Sequence, residues 1–352
     1  MRKFLTISLI WVSPIIILIA VVSTYLDCCV MPNQHGDLER LSEFVIEGDK
    51  NEYERLTSID CDNMNDLCVD LYAGDTILTS GNVRILTIGD SFSNNIQVNK
   101  RYSNFIANAI NSNIYNLKFS VSNPLQVAAT ALNNGQIDEL SPDFVIIETA
   151  ERYLWTRISD LKLADYDIDI LSNNHEMSID HNKNTILDLV KSKINRALNF
   201  SKLPYSTNPT IKLRINQPRF SIESQNLYVY YQDVKNENCM LSNDQLKVSE
   251  EKLISLQRMY SAKGVKLIFL IASDKYGMYQ DDIINNSYPP KVVATQLSAV
   301  LHNDFYVNSK DILRPYIENG ALDIYYSTDT HWSPIAAKII GDYIADMINS
   351  SI

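Results

Sequence analysis

Ser91 stands in "RILTIGDSFSNN", residues 84–95, just past an apolar run that breaks on Gly89-Asp90-Ser91. A serine hydroxyl attacks an acyl group when a base within hydrogen-bond reach takes its proton and a third group orients that base. The chain has 5 histidines. His35 falls in a charged N-terminal stretch, His175 and His181 in a polar stretch, "NNHEMSIDHNK", and His302 after a helix, where it can serve as a cap. His331 differs: it sits in "YYSTDTHWSP", between a strand candidate and the start of the last helix, with Asp329 two residues before it. An Asp at that spacing can turn back to the imidazole and fix its tautomer. Ser91, His331 and Asp329 thus form a candidate nucleophile, base and orienter. The bland alternatives are a serine in a strand-ending turn and a helix-capping loop. Trp332 either walls the site or packs in the core.

These residues need a scaffold that brings positions 91 and 331 together. "VRILTIG" reads as a buried parallel strand, "SNFIANAINS" as a helix, "NIYNLKFS" as a strand, "LQVAATALNNG" as a helix and Phe144 to Ile147 as a third strand. After a polar stretch from about 156 to 238, the alternation resumes. "SEEKLISLQRMYSAKG" reads as a helix with Ser249 as N-cap, "VKLIFLIAS" as a fourth strand and "DFYVNSKDIL" as a short fifth. "SPIAAKIIGDYIADMINS" closes the chain as a helix capped by Ser333, with Pro334 in the first turn. Alternating strands and helices predict a three-layer α/β/α domain with a mainly parallel sheet. Such sheets carry their sites outside the carboxyl ends of the strands, where Ser91 lies.

The remaining chain bounds the setting. With 352 residues and a formal net charge of -11, sequence-independent binding of nucleic acid is disfavoured. Arg2 and Lys3 precede Phe4 to Leu26, which holds no charged residue and suits one membrane-spanning helix. The basic flank predicts a single pass with the main domain extracytoplasmic, at the periplasm or cell surface. A cleaved signal peptide is the rival, although the run ends in Tyr25-Leu26-Asp27, a poor cleavage site. The expected organisation is an anchor at 1–26, a stem at 27–81 and a catalytic domain at 82–352 with an insertion at about 156–238. Cys61 and Cys68 either close a short disulfide loop or remain free thiols. No metal site is expected, since "CDNMNDLC" lacks paired ligand spacing and a nearby histidine.

Gly89-Asp90-Ser91 near the start and an Asp-His pair near the end resemble the SGNH/GDSL hydrolase superfamily. The form Asp329-Thr330-His331-Trp332 resembles the SGNH-like O-acetyltransferases of bacterial exopolysaccharides, the AlgX/AlgJ-like alginate acetylation family. "PDFVIIETAERYL" and "VKLIFLIASDKYGMY" resemble two further stretches of that family. The chain departs from it in placing the serine motif before Asp-x-His, and Thr328 stands where an Asp-x-x-His spacing would have its acid.

The resemblance implies Ser91 as nucleophile, His331 as base and Asp329 as orienter, with no cofactor. It implies a polysaccharide acceptor and a multi-span membrane acyltransferase supplying acetyl groups. The Ser91 N–H is the natural first oxyanion donor. The superfamily's Gly and Asn donors are missing, leaving Ser122-Asn123 after the second strand, with Asn123 as the candidate. Arg152 either binds substrate or pairs with Glu148 or Glu151. Lys275 and Tyr276 either reach the acceptor sugar or serve the loop. An esterase or deacetylase with the same triad, and a non-catalytic glycan-binding or assembly protein, are the alternative functions.

Overall fold

The computed structural model describes residues 14, 37–38, 52–57, 64–71, 84–94, 100–118, 123–164, 210–222, 225–302 and 304–351. The expected anchor lies outside the described residues, residue 14 excepted. So do His35, His175, His181, Cys61, Ser122 and the greater part of the insertion. Among the described residues, no helix is long and apolar enough to cross a membrane.

Six parallel strands form the central sheet: β1 (Cys68–Leu71), β2 (Ile85–Ile88), β3 (Ile114–Leu117), β4 (Phe144–Ala150), β7 (Lys266–Ala272) and β8 (Tyr306–Asn308). Their spatial order is β1-β3-β2-β4-β7-β8. The period-two alternation of a strand divides their side chains between two cores. Ile85, Phe144, Ile146, Ile268 and Leu270 face one side, with α2 (Tyr102–Ile110) and the C-terminal α11 (Pro334–Asn349). Leu86, Ile88, Val145, Ile147, Leu267 and Phe269 face the other, with α3 (Pro124–Asn133) and α7 (Asn243–Ala262). Because helices cover both faces, the strands read as continuous apolar runs. The three-layer α/β/α expectation matches this architecture.

The strand order places the site. From β2 the chain moves outward to β3, then crosses back to β4 on the other side of β2. The crevice between the carboxyl ends of β2 and β4 is therefore a topological switch point, where open α/β sheets bind ligands. Ser91 follows β2, and Glu151 and Arg152 follow β4.

Several sequence expectations need correction. The helix read as starting at Ser249 starts at Asn243, capped by Ser242. Ser242 accepts from the Gln245 N–H while the Gln245 side chain accepts from the Ser242 N–H, a capping box. Ser249 is buried within that helix, its hydroxyl donating to the Gln245 carbonyl. "DFYVNSKDIL" does hold the expected short strand, Tyr306–Asn308, whose last residue, Asn308, also caps α10 (Ser309–Glu318) by accepting from the Lys310 N–H. The segment read as a stem supplies β1 and the short helix α1 (Glu52–Thr57). A single charge hid that edge strand: Asp70 pairs with the buried Arg101 at 2.7 Å instead of facing open solvent. Cys68 is a free, buried thiol 3.2 Å from the Ser103 hydroxyl. The insertion contributes an antiparallel hairpin, β5 (Thr210–Arg214) with β6 (Asn226–Tyr230), and the buried Asp233.

Candidate active site

The β2 exit is a tight turn built on Asp90. Its carbonyl accepts from the N–H groups of Ser93 and Asn94, and its Oδ1 from that of Phe92. Its Oδ2 accepts from the Ala150 N–H and the Arg157 guanidinium, tying the end of β2 to the end of β4. Burial opposes the Asp90 charge, but Arg157 overcomes it and holds the carboxyl below its ordinary value. Beneath the turn, Glu148 accepts from the Asp90 N–H at 3.0 Å and the Ser93 hydroxyl at 2.8 Å. Burial, with Asp90 alongside, raises the Glu148 carboxyl well above its ordinary value. Gly89 is required for steric reasons: a Cβ there would lie 2.0 Å from Ser93 Oγ and 2.8 Å from Glu148 Oε2. This packing fixes the backbone and leaves Ser91 exposed at its apex.

His331 comes to the same point from the opposite end of the chain. Its Nε2 lies 2.7 Å from Ser91 Oγ and its Nδ1 2.6 Å from Asp329 Oδ1. Asp329 Oδ1 also accepts from the His331 N–H at 2.9 Å, so one carboxylate oxygen holds both ring and backbone. Phe92 packs against the imidazole at 4.7 Å between centroids and against Trp332 at 4.8 Å. Burial works against a charged imidazole, but Asp329, with Asp37 adding to it, raises the His331 pKa above 6.5. Burial also opposes ionisation of Asp329, and the facing imidazole and its hydrogen bonds reverse this, lowering that carboxyl below its ordinary value.

The loop carrying the base is held by residues that the sequence analysis assigned elsewhere or missed. Lys275 Nζ, fully buried, donates to the carbonyls of Ser327 at 2.7 Å and Asp329 at 3.2 Å. Burial lowers its pKa to about 8. The Glu52 carboxyl accepts from the Ser327 N–H and hydroxyl. Asp37 accepts from the Thr330 N–H at 2.8 Å, while its own N–H donates to Asp329 Oδ2 at 3.0 Å. Polar side chains in a charged stretch gave no local sign of these long-range bonds.

The other candidates separate. Asn123 caps α3: its carbonyl oxygen accepts from the Leu125 and Gln126 N–H groups and its amide donates to the Arg157 carbonyl. These bonds give it a structural role in place of the expected oxyanion contact. Arg152 pairs with Asp274 at 3.1 Å and Asp233 at 3.3 Å, not with Glu148 or Glu151. Tyr276 is buried, its hydroxyl donating to the Pro289 carbonyl at 2.8 Å, away from an acceptor role. Trp332 is buried in the core that backs His331. Asp37, Asp329 and His331 could present ligand atoms to an ion, all within 4.8 Å of one another. The hydrogen bonds just described already engage each of them.

The arrangement is capable of acyl transfer. An exposed hydroxyl meets an imidazole whose far nitrogen faces a carboxylate, at the switch point of a parallel sheet. Among curated proteins, none matches the chain. Residues 226–351 match the family model described as ALGX: SGNH hydrolase-like domain, acetyltransferase AlgX. The C-terminal third of the chain, which carries Asp329 and His331, is thus similar to an SGNH hydrolase-like domain of the AlgX type, and the mainly parallel α/β sheet fits such a domain.

Proposed function

We propose that this chain is a membrane-anchored, extracytoplasmic O-acetyltransferase acting on a cell-surface or exported polysaccharide. The observation that carries the reading is the continuous contact from Ser91 Oγ through His331 to Asp329, at 2.7 and 2.6 Å. In the first half-reaction, Ser91 Oγ attacks an acetyl ester carbonyl and its proton passes to His331 Nε2. Asp329 stabilises the imidazolium that forms. The tetrahedral oxyanion develops beside the Ser91 N–H, and no described residue occupies that donor. Collapse expels the donor's oxygen, which takes the proton from Nε2 and leaves acetyl-Ser91. In the second half-reaction, a glycan hydroxyl gives its proton to His331 Nε2 and attacks the ester carbonyl; collapse breaks the bond to Ser91 Oγ, which takes that proton back from Nε2, and the glycan departs acetylated.

An anchor at residues 4–26 fits this role. Asp37 touches the base loop eleven residues after Leu26. At roughly 3.5 Å per extended residue the intervening chain reaches no farther than about 40 Å. Ser91 would therefore work near the membrane face, where a multi-span acyltransferase could deliver acetyl groups. A solvent-exposed Ser91 also favours a second reading, an esterase in which water replaces the sugar hydroxyl.

The test incubates the full-length protein in detergent with a chromogenic acetyl ester, with and without neutral oligosaccharides. Acetylated sugar supports transfer. Acetate release alone, unchanged by sugar, supports the esterase. Activity that survives Ser91→Ala would remove both.

A further inference from the structure

Asp37 reaches the base from a segment that the sequence analysis placed in a stem. Its backbone N–H donates to Asp329 Oδ2, its Oδ1 accepts from the Thr330 N–H at 2.8 Å, and its Oδ2 accepts from the Thr330 hydroxyl. The same Oδ2 lies 3.7 Å from His331 Nδ1. Thr330 is the residue between the two members of the Asp-x-His pair, and its Oγ1 is 3.5 Å from Nδ1. Asp37 therefore grips the pair at its centre and at the far oxygen of Asp329. Leu38 fixes the segment beside it: its N–H donates to the Thr328 carbonyl, and its own carbonyl accepts from the Thr210 hydroxyl on β5.

We infer that Asp37 is a positioning residue of the proposed triad, so that the N-terminal segment completes the active site by holding the Asp329–His331 unit toward Ser91. This deepens the functional reading above and rests on it. The Asp329 side chain can rotate about its own bonds. The Asp37 N–H on Oδ2 leaves Oδ1 as the oxygen that meets the ring, and the bonds to Thr330 fix the backbone on which the ring turns. Such placement matters because a misalignment of about 1 Å can cost on the order of 10²-fold in rate.

The charges around the ring give this role a signature. His331 faces Asp329 on its own loop and Asp37 on the N-terminal segment, which both favour the imidazolium; Arg152 beyond β4 opposes it. Asp37 in turn is raised by burial and by Asp329, and lowered by His331 and Thr330. Lys275, Arg152 and Asp233 complete its charged surroundings. An anchor that only tied down the N-terminal segment would alter melting temperature and leave the titration of the base alone.

The experiment measures kcat and KM for a chromogenic acetyl ester from pH 5 to 9, using full-length Asp37→Asn, Asp37→Ala, Thr330→Val and Ser91→Ala, with melting temperatures alongside. The expected result for Asp37→Asn is an unchanged KM, a kcat reduced about tenfold and an acid limb moved to lower pH. Asp37→Ala loses on the order of 10²-fold in kcat, and Thr330→Val falls in the same direction. If Asp37→Ala does not fold, the near-isosteric Asp37→Asn decides the question. Wild-type kcat and acid limb in Asp37→Asn, with or without a lower melting temperature, overturn the inference. Ser91→Ala keeps the two claims apart. If it abolishes turnover while Asp37→Asn behaves as wild type, only the role of Asp37 falls. If it retains turnover, the triad falls and the inference with it.

Discussion

Replacing Asp329 with Asn probes the linkage on which the site depends. In the native arrangement both carboxylate oxygens accept: Oδ1 from the His331 N–H and Nδ1, Oδ2 from the Asp37 N–H. An amide has only one accepting oxygen. If that oxygen keeps the Oδ1 position, the NH2 group meets the Asp37 N–H donor to donor. If it turns to Asp37, the NH2 group meets Nδ1, the ring proton moves to Nε2, and Nε2 can no longer accept from Ser91. In both orientations the negative charge beside the developing imidazolium is lost. An Asp-to-Asn change of this kind in a Ser-His-Asp triad costs up to about 10⁴ in kcat. We expect a fall of about 10³–10⁴, equivalent to about 4–5.5 kcal/mol of transition-state stabilisation. The assay is steady-state hydrolysis of a chromogenic acetyl ester across pH, with circular dichroism to confirm folding. A folded Asp329→Asn protein within tenfold of wild type, with an unmoved acid limb, would refute this reasoning.

Other outcomes follow from the same geometry. In the wild type, kcat/KM should rise with pH through an apparent pKa above 6.5, because burial is outweighed at His331 by Asp329 and Asp37. A limb midpoint below 6.5 would contradict that balance. The Asp329–His331 pair should contribute most to stability between pH 3.8 and 6.5. The lowered Asp329 loses its contribution as pH falls below 3.8, and the raised His331 loses its own as pH rises through its folded value. Denaturant titrations of wild type and His331→Gln should differ most in that window. Glu148→Gln should cost less than about 1 kcal/mol, since the amide oxygen can still accept from Asp90 and Ser93. Glu148→Ala, which orphans both buried donors and opens a cavity, should cost about 2–4 kcal/mol by denaturant unfolding. Gly89→Ala should destabilise by about 1–3 kcal/mol and lower kcat, because its Cβ would displace Ser93 from beneath Ser91. A fully active, equally stable Gly89→Ala would show that this packing does not set the serine.

What the sequence made legible followed local rules. Buried parallel strands declared themselves through uninterrupted apolar runs, and Ser333-Pro334 marked the start of the last helix. Ser91 and His331 stood out because an exposed turn after a strand and an Asp-x-His loop are short motifs, readable within a few residues. The supports of the site are not local. Asp37 meets Thr330 across 293 positions, and Glu52 meets Ser327 across 275. Such pairs leave no period in the sequence. β1 escaped notice because one of its four residues, Asp70, is charged, and its partner Arg101 precedes another helix. Arg152 was misassigned for the opposite reason: its neighbours Glu148 and Glu151 were the obvious partners in sequence. The fold instead turns Glu151 to the Asp274 and Ala294 N–H groups and gives Arg152 to Asp233 and Asp274.

The most direct test of the central claim is the mass of the enzyme caught between its two half-reactions. Full-length protein is mixed with an activated acetyl ester in the absence of sugar, quenched in acid within milliseconds to seconds, digested and analysed by peptide mass spectrometry. The expected result is one added acetyl group on the peptide containing Ser91, localised to that side chain, absent from Ser91→Ala and discharged when an acceptor sugar is added before the quench. Turnover of the ester with Ser91 unmodified at every time, and an acetyl group on another residue or on none, would contradict it.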